Sequence, residues 1–279
     1  MRFKINLAID SRTFGNRLPI NYQYELSAWI YKIIACGDEQ YAAWLHENGF
    51  SEKHRNFKMF VFSNLYSPGI KFEQDRLIFC SDKASFYLSL LPEKSIEAFI
   101  KGVFQEQSFT LGDRVSKLQF SVRQIELTPP PAFKDNFVFK TLSPVVVSVG
   151  QEASRHPLYV SPEENNYGQL IINNLIEKYK LFHNKPFEVS PNFQFQLLSP
   201  ARSKLIRIKA GTEEETQVKG FLFTFRLEAA PDLLKVMYET GMGGKRQLGV
   251  WMCWRRRKKA LASQEPLKNH CGAIMNIFC

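Results

Sequence analysis

The chain has 279 residues, which is enough for two compact domains or one large domain. Its 37 Lys and Arg outnumber its 27 Asp and Glu, a net charge of +10 that favours a polyanionic partner, nucleic acid first and an anionic membrane surface second. The 5 cysteines are scattered without a CxxC pair, and no apolar run is long enough to span a bilayer. These features exclude a disulfide framework, a zinc knuckle and a membrane-spanning helix, and we expect a reduced cytoplasmic protein.

The first half of the chain predicts the order strand, helix, strand, strand, helix, strand. MRFKINLAID alternates apolar and polar residues as a half-buried strand does, and a helix with apolar residues at helical spacing follows it up to Gly37. A short helix reaches Gly49, and the basic loop SEKHRNFK comes after it. The remaining segments are the strands MFVFSNL and KFEQDRLIFCS, a helix over residues 92–106 and a strand over residues 117–127. This order is typical of the ferredoxin-like fold.

The second half of the chain repeats the same order after a linker. TPPPAF is the predicted linker, because three consecutive prolines continue neither a helix nor a central strand. The predicted segments are the strand FVFKTLSPVVVSV, a helix over residues 163–183, the strands FQFQLL, KLIRIKA and GFLFTFRLEA, the helix PDLLKVMYETG and the strand LGVWMCW. We therefore expect an α+β protein with tandem ferredoxin-like domains over residues 1–128 and 137–257, and a tail over residues 258–279.

The stretch GMGGKRQLGV, Gly241 to Val250, combines four glycines with two adjacent cations. A dinucleotide fingerprint needs a strand before its glycines and a helix after them, and here the order is inverted. A Walker loop needs GKS or GKT, which GGKRQ lacks. Two interpretations stay open: an ordinary helix C-cap with a flexible turn, or backbone amides and cations that lie along a sugar–phosphate chain.

The glycine stretch and several other blocks resemble a known family. YETGMGGKRQLGVWM is similar to the C-terminal glycine-rich signature of the repeat-associated RNA-binding superfamily, and more narrowly to the CRISPR-associated endoribonucleases that process repeat RNA. Further blocks resemble the family in the right order, up to residue 254: MRFKINL, LPINYQYELSAWIYKII, WLHENGF, FKMFVFSNL and TLSPVVVSV. One departure is that Val250 and Trp251 follow Gly249, where the family usually has Gly-aromatic-Gly.

The resemblance implies tandem ferredoxin-like domains with a C-terminal glycine-rich loop, and a cleavage of RNA that needs no metal. In that reaction the ribose 2′-hydroxyl attacks the adjacent phosphate, and the products carry a 2′,3′-cyclic phosphate and a 5′-hydroxyl. The sequence itself has no His or carboxylate pair at metal-ligand spacing, so we expect no metal site and no cofactor.

Cleavage of this kind needs a base, an acid and a positive charge near the phosphorane. His46 and Tyr31 both point away from the apolar faces predicted for their helices, and they could project into one cleft. The resemblance places a catalytic Tyr, His and Lys at Tyr31, His46 and Lys58. We expect His46 to transfer protons, Tyr31 to be its partner acid or base, and Lys58 to stabilise charge. His54 is the main alternative to His46, and which of His46 and Tyr31 is the base stays open.

Three segments are candidates for RNA binding. In SPARSKLIRIKAG, alternation places cations on both faces of a strand, which suits an edge hairpin that binds phosphates or, equally, a solvated edge that resists aggregation. The basic loop after His46 and the glycine stretch are the other two. The residues predicted to bind RNA are Lys53, His54, Arg55, Arg202, Lys204, Arg207, Lys209, Gly241, Gly243, Gly244, Lys245, Arg246, Gln247 and Gly249.

These observations predict a metal-independent endoribonuclease that cleaves CRISPR repeat RNA. The alternative is a non-catalytic RNA-binding scaffold of a CRISPR ribonucleoprotein complex, which would have no need of Tyr31, His46 and Lys58 together. The expected partners are repeat RNA and other CRISPR-associated proteins, with the chain as a monomer or a homodimer. A membrane-surface protein would need a basic amphipathic helix, and the sequence offers no convincing one.

Overall fold

The computed structural model describes residues 1–52, 55–57, 59–151, 154–188, 193–208, 213–243 and 253–255. Two units follow one another along the chain, and the first runs from β1 to β10. Its elements in chain order are β1 (Arg2–Asp10), α1 (Ser11–Phe14), β2 (Arg17–Pro19), α2 (Gln23–Gly37), α3 (Glu39–Glu47), β3 (Phe50–Glu52), β4 (Arg55–Phe57), β5 (Phe60–Phe62), β6 (Lys71–Glu73), β7 (Arg76–Ile78), β8 (Lys83–Leu90), α4 (Glu93–Gln105), β9 (Ser108–Gly112) and β10 (Lys117–Thr128).

The main sheet of the first unit has the strand order β5-β8-β1-β10-β9, with antiparallel neighbours throughout. Ile5 in the central strand β1 lies opposite Phe86 in β8 and Ile125 in β10. The helices α2 and α4 cover one face, where the Trp29 ring lies 6.1 Å from that of Phe86 and 6.2 Å from that of Phe99. Apart from the edge strand β9, this is the strand order of a ferredoxin-like unit, and its crossover helices are α2 and α4.

The second unit begins after residues 129–135, which form neither helix nor strand. Its elements in chain order are β11 (Asn136–Thr141), β12 (Ser148–Gln151), β13 (Ser154–Tyr159), α5 (Tyr167–His183), β14 (Gln194–Leu197), β15 (Arg202–Ile208), β16 (Thr216–Leu222), β17 (Thr224–Glu228), α6 (Pro231–Thr240) and β18 (Cys253–Arg255). The sheet order β14-β17-β11-β18 repeats that of the first unit. The predicted tandem ferredoxin-like fold is therefore confirmed. The tail expected over residues 258–279 lies outside the described residues.

Two of the predicted strands are wrong in the same way. KFEQDRLIFCS was expected to be one strand of the main sheet, but it folds back as the hairpin β6–β7, whose turn contains Gln74 with a φ of 54°. The third strand of the sheet is instead β8, which the sequence prediction missed. GFLFTFRLEA was expected to be one long strand, but it divides at Phe223 into β16, which pairs with β15, and β17, which pairs with β11 and β14.

The two units pack against each other through apolar and polar contacts. Val146, Ile206 and Val218 of the second unit belong to the same buried cluster as the core of the first unit. Arg2 at the start of β1 is buried, places its guanidinium carbon 3.5 Å from the centre of the Tyr238 ring, and donates a hydrogen bond to the Tyr238 carbonyl. Among the described residues, no helix combines the length and apolar character needed to cross a bilayer.

Candidate active site

Tyr31 and His46 meet where α2 and α3 run next to each other. Asp38 ends α2 and caps α3, because its carboxylate accepts a hydrogen bond of 2.8 Å from the backbone N–H of Tyr41. The tight connection brings the Tyr31 and His46 rings to 6.2 Å between centroids, with an edge-to-face angle of 80°. The structure thus places next to each other two of the three residues that the sequence predicts to be catalytic.

The two rings differ in their access to solvent. His46 is exposed on the outer side of α3. Tyr31 is half-buried, its ring lies 5.3 Å from that of Phe60, and its hydroxyl oxygen is buried. Burial, with a smaller contribution from Tyr41, raises the pKa of the Tyr31 hydroxyl far above its usual value. A half-buried Tyr31 therefore stays protonated near neutral pH beside an exposed imidazole.

The helix α3 is fixed from the side opposite to its solvent face. The Tyr41 hydroxyl forms a hydrogen bond of 2.5 Å with the Ser95 hydroxyl of α4, and the Lys94 ammonium lies 3.5 Å from the Asp38 carboxylate. Trp44 is 39% exposed, and its ring contacts that of Phe50 at 5.4 Å. His46 thus projects from a helix that is held at its first turn by α4 and near its end by β3.

The basic segment after α3 forms the hairpin β3–β4. Lys53, His54 and Lys58 lie outside the described residues, and Arg55 is described only as backbone of β4. Phe57 and Met59, on either side of Lys58 in the sequence, are both 3% exposed. Met59 has a φ of 55°, a left-handed conformation that is unfavourable for a side chain of this kind. Strain of this type clusters at functional sites, which makes the segment around Lys58 a functional candidate.

The hairpin β15–β16 agrees with the edge hairpin predicted from SPARSKLIRIKAG. Arg202 and Arg207 are exposed, whereas Lys204 is half-buried on the face that also carries the buried Ile206. Burial lowers the pKa of the Lys204 ammonium. Arg207 pairs with a carboxylate oxygen of Glu215 at 3.8 Å. Lys209 lies outside the described residues.

The described part of the glycine stretch ends α6. Gly241 has a φ of 73°, which favours glycine, and its N–H donates to the Met237 carbonyl at 2.8 Å, as expected for a helix C-cap. Gly241, Met242 and Gly243 are buried. The remaining residues predicted to bind RNA lie outside the described residues: Gly244, Lys245, Arg246, Gln247 and Gly249.

One buried cation next to the glycine stretch was missed by the sequence prediction. Lys178 of α5 is 4% exposed, and its ammonium donates to the Gly241 carbonyl at 2.8 Å and to the Thr240 carbonyl at 3.3 Å. The signal was present in the sequence, because Lys178 continues the helical spacing of the buried Ile171 and Leu175. A lysine on an apolar stripe needs a buried partner, and here the partners are carbonyls.

Within the described part of the chain, no three His, Cys, Asp or Glu side chains are grouped so that they could hold a metal ion. Among the described residues, the candidate site brings together Tyr31 and His46, and Phe60, the residue after Met59, contacts the Tyr31 ring.

Comparisons with known proteins agree with this architecture. The family model "CRISPR-associated protein Cas6, N-terminal" matches residues 17–126, and "CRISPR associated protein Cas6, C-terminal" matches residues 127–253. The chain is 28% identical over 254 residues to CRISPR-associated endoribonuclease Cas6 1 of Methanocaldococcus jannaschii, which covers 90% of this chain and 91% of that protein. It is also 28% identical over 254 residues to CRISPR-associated endoribonuclease Cas6 of Pyrococcus furiosus, covering 90% of this chain and 89% of that one. A solved structure of a CRISPR associated protein Cas6 has a TM-score of 0.71 and 27% identity, and covers 92% of this chain and 99% of its own.

Proposed function

We propose, because the chain belongs to the Cas6 family of CRISPR-associated proteins, that it is an endoribonuclease and cleaves CRISPR repeat RNA. The relatives from M. jannaschii and P. furiosus are named endoribonucleases, and each aligns with 90% of this chain. The observation that carries the proposal is the contact between the Tyr31 and His46 rings, since a scaffold that only binds RNA does not require two adjacent proton-transfer groups. The positive charge of the whole chain suits a polyanionic substrate.

The proposed reaction is an internal transfer that requires no metal ion. His46 accepts the proton of the ribose 2′-hydroxyl, whose oxygen forms a bond to the adjacent phosphorus. The bond between phosphorus and the 5′-oxygen breaks, and that oxygen accepts a proton. The products are a 2′,3′-cyclic phosphate and a 5′-hydroxyl, and no water is consumed in this step.

The burial of Tyr31 supports a division of roles within the pair. A hydroxyl whose pKa is raised by burial keeps its proton near neutral pH, so no phenolate is available as the base and the base is assigned to the exposed His46. Tyr31 supplies the proton of the departing 5′-oxygen, and the imidazolium of His46 then returns a proton to the phenolate. Because the Tyr31 hydroxyl is buried, substrate binding must uncover it for this transfer.

Positive groups around this pair complete the proposal. Lys58 stabilises charge on the phosphorane, and the cations of the β3–β4 segment and of the β15–β16 hairpin bind RNA phosphates. The exposed side chains of Arg202 and Arg207 support this role for the hairpin. The glycine stretch beyond Gly243 is assigned to the sugar–phosphate chain through its amides and its two cations, Lys245 and Arg246. Repeat RNA and other CRISPR-associated proteins are the proposed partners.

The test of this function is cleavage of an end-labelled repeat RNA in the presence of EDTA. We expect a cut at one site and products with a 2′,3′-cyclic phosphate, identified by a mobility shift after acid opening and phosphatase treatment. A matched RNA with a 2′-deoxyribose 5′ to the cut is the control, and it should bind equally well and remain intact. Cleavage of the deoxy RNA would contradict the internal attack, and tight binding of both RNAs without any cut would favour the scaffold.

A further inference from the structure

Lys178 is a buried cation that joins two helices of the second unit. Its ammonium lies 2.8 Å from the carbonyl oxygen of Gly241 and 3.3 Å from that of Thr240, and the residue is 4% exposed. The last carbonyls of a helix have no partner inside the helix and carry the negative end of its dipole. A buried ammonium is stable only when such acceptors surround it. The contact therefore fixes the end of α6 relative to α5.

The position of this contact matters because the helix ends where the glycine stretch begins. The backbone of Gly241 has a φ of 73°, and its carbonyl is the nearer of the two acceptors of Lys178. A lysine on a neighbouring helix thus holds the first peptide group after α6. The orientation of that peptide group sets the direction in which the chain leaves the helix.

The same ammonium faces the first unit. The nitrogen of Lys178 lies 5.8 Å from the centre of the Phe57 ring, a distance at which a cation is attracted to an aromatic face. Phe57 is the residue before Lys58 and packs in a small buried cluster with Met59 and Leu91, against which Leu181 and Phe182 of α5 also lie. One side chain therefore contacts both the start of the glycine stretch and the segment that leads to Lys58.

We propose that Lys178 is a positioning residue for RNA: it fixes Gly241, where the glycine-rich stretch begins, relative to Phe57 of β4, and thereby supports RNA binding by the segments that continue from these two residues. The inference rests on the proposed function for the identity of the ligand, but the positioning itself does not depend on RNA. Lys178 is buried and is not assigned any contact with the reacting atoms, so its removal weakens RNA binding more than the chemical step.

Arg2 provides a matched control for the loss of a buried cation. Like Lys178, Arg2 is buried at 1% exposure, lies against an aromatic ring and donates to a carbonyl of α6. Its acceptor is the carbonyl of Tyr238, inside the helix and before the glycine stretch. Arg2→Met therefore removes a comparable buried contact without removing the hydrogen bond to Gly241.

The experiment compares Lys178→Met, Lys178→Arg and Arg2→Met with the wild type in three measurements: thermal unfolding, hydrogen exchange of peptides covering residues 238–250 without RNA, and affinity and cleavage rate with repeat RNA. We expect Lys178→Met to speed the exchange of these peptides and to weaken RNA affinity about tenfold, the size expected for hydrogen bonds from a charged donor. The cleavage rate at saturating RNA should change less than about threefold, since uniform binding alone is lost. Lys178→Arg should recover most of the affinity, and Arg2→Met should lower the unfolding temperature but leave the affinity unchanged.

Two results would overturn the proposal. One is unchanged exchange of residues 238–250 in Lys178→Met, and the other is an equal loss of affinity in Arg2→Met, which would mean that general destabilisation is responsible. If exchange rises in Lys178→Met but the wild type neither binds nor cuts repeat RNA, the positioning by Lys178 stands and the proposed function is what fails.

Discussion

The two units share one strand order but pair their helices by opposite means. In the first unit α2 and α4 meet backbone to backbone, because a methyl group at Gly37 would lie 1.9 Å from the Ala98 carbonyl oxygen and one at Gly102 would lie 1.8 Å from that of Ile33. In the second unit α5 reaches the end of α6 through the buried ammonium of Lys178. The contact between α2 and α4 leaves no room for an added methyl group. The contact of Lys178 holds the peptide group with which the glycine stretch begins.

The comparison extends to a tyrosine–histidine pair in each unit. Tyr31 and His46 come from two helices, whereas Tyr179 and His183 lie one turn apart on α5 with ring centroids at 4.4 Å. The helices α2 and α5 occupy the same position in the two folds. The short helix α3, which supplies His46, follows α2 directly, whereas residues 184–188 after α5 form no helix. The candidate active site therefore depends on α3, a helix that the first unit has in addition to the shared ferredoxin-like elements.

The largest expected effect is on the cleavage rate, and it distinguishes the Tyr31–His46 pair from the Tyr179–His183 pair. His46→Ala should lower the cleavage rate at saturating RNA about 10²- to 10⁴-fold, the range expected for the loss of a general base. RNA affinity should remain within about threefold, because the lysines and arginines assigned to the phosphates are unchanged in this variant. Single-turnover cleavage and a binding titration with the deoxy RNA measure the two quantities.

His183→Ala is the control for this comparison, since it removes the histidine of the other pair. It should cleave at the rate of the wild type. Equal cleavage by both variants would remove His46 from the mechanism and make His54 the next histidine to change.

The next effect tests the close helix pairing of the first unit. Gly37→Ala should destabilise the protein by about 3 kcal/mol, the upper end of the range for overpacking, since the added methyl group meets backbone rather than a movable side chain. Gly150→Ala is the matched control, because nothing lies within 4 Å of the position a methyl group would take there. Urea unfolding of the three proteins gives the difference, and equal midpoints would show that α2 and α4 can move apart.

The third effect concerns the hydroxyl of Tyr31. Tyr31→Phe keeps the ring contacts with His46 and Phe60 and removes only the oxygen, so we expect the saturating cleavage rate to fall about 10- to 100-fold without loss of stability. Tyr179→Phe is the counterpart in the second unit and should cleave normally. Wild-type cleavage by Tyr31→Phe would restrict Tyr31 to packing.

The pH dependence of cleavage tells which member of the pair is the base. Burial raises the pKa of Tyr31 above the ordinary value of about 10, so the protonated form, which we assign as the acid, persists to higher pH than usual. The single-turnover rate should not fall between pH 8 and pH 9 through this group, because even the hydroxyl uncovered by the substrate, with the ordinary pKa of about 10, stays mostly protonated there. A rate that climbs about tenfold per pH unit over this range would identify Tyr31 as the base instead.

The smallest effects concern the hairpin β15–β16, which the second unit has in addition to the shared ferredoxin-like elements. Arg202→Ala and Arg207→Ala should each weaken RNA binding a few-fold and lower the slope of log affinity against log salt by about 1. Lys101→Ala is the control, because Lys101 is exposed on α4 and pairs with Glu97 at 2.6 Å on the same helix. An unchanged slope in both hairpin variants would favour the solvated edge over the RNA contact.

The order of the main elements could be predicted from the sequence because it depends on local periodicity. β1, α2 and α4 have clear patterns, and Gly37 marks the end of α2 and Pro92 the start of α4. The two wrong strands show the limit of that signal. Alternation continues through the break at Phe223, where the pairing changes from β15 to β11 and β14. The turn at Gln74 lies in the polar run EQDR, which has no glycine or proline to mark it.

The candidate active site could be predicted only in part, because only some of its features have a local sequence signal. Helical spacing indicated that Tyr31 and His46 leave the apolar faces of their helices, and the structure brings their rings together. The burial of the Tyr31 hydroxyl depends on Phe60 and its surroundings, which come from a later strand and have no local signal. Helical spacing places Lys178 on the buried face of α5, but its acceptors have no local signal, because they are carbonyls at sequence separations of 62 and 63.

The contact between Arg2 and Tyr238 has a consequence for synthesis. The two residues are separated by 236 positions, so β1 is made long before the helix that covers its first residues. Until α6 has been synthesised, Arg2 cannot form this contact. Packing of the second unit against the first is therefore a late, non-local step. Steps of this kind slow folding and leave apolar surface exposed until they are complete.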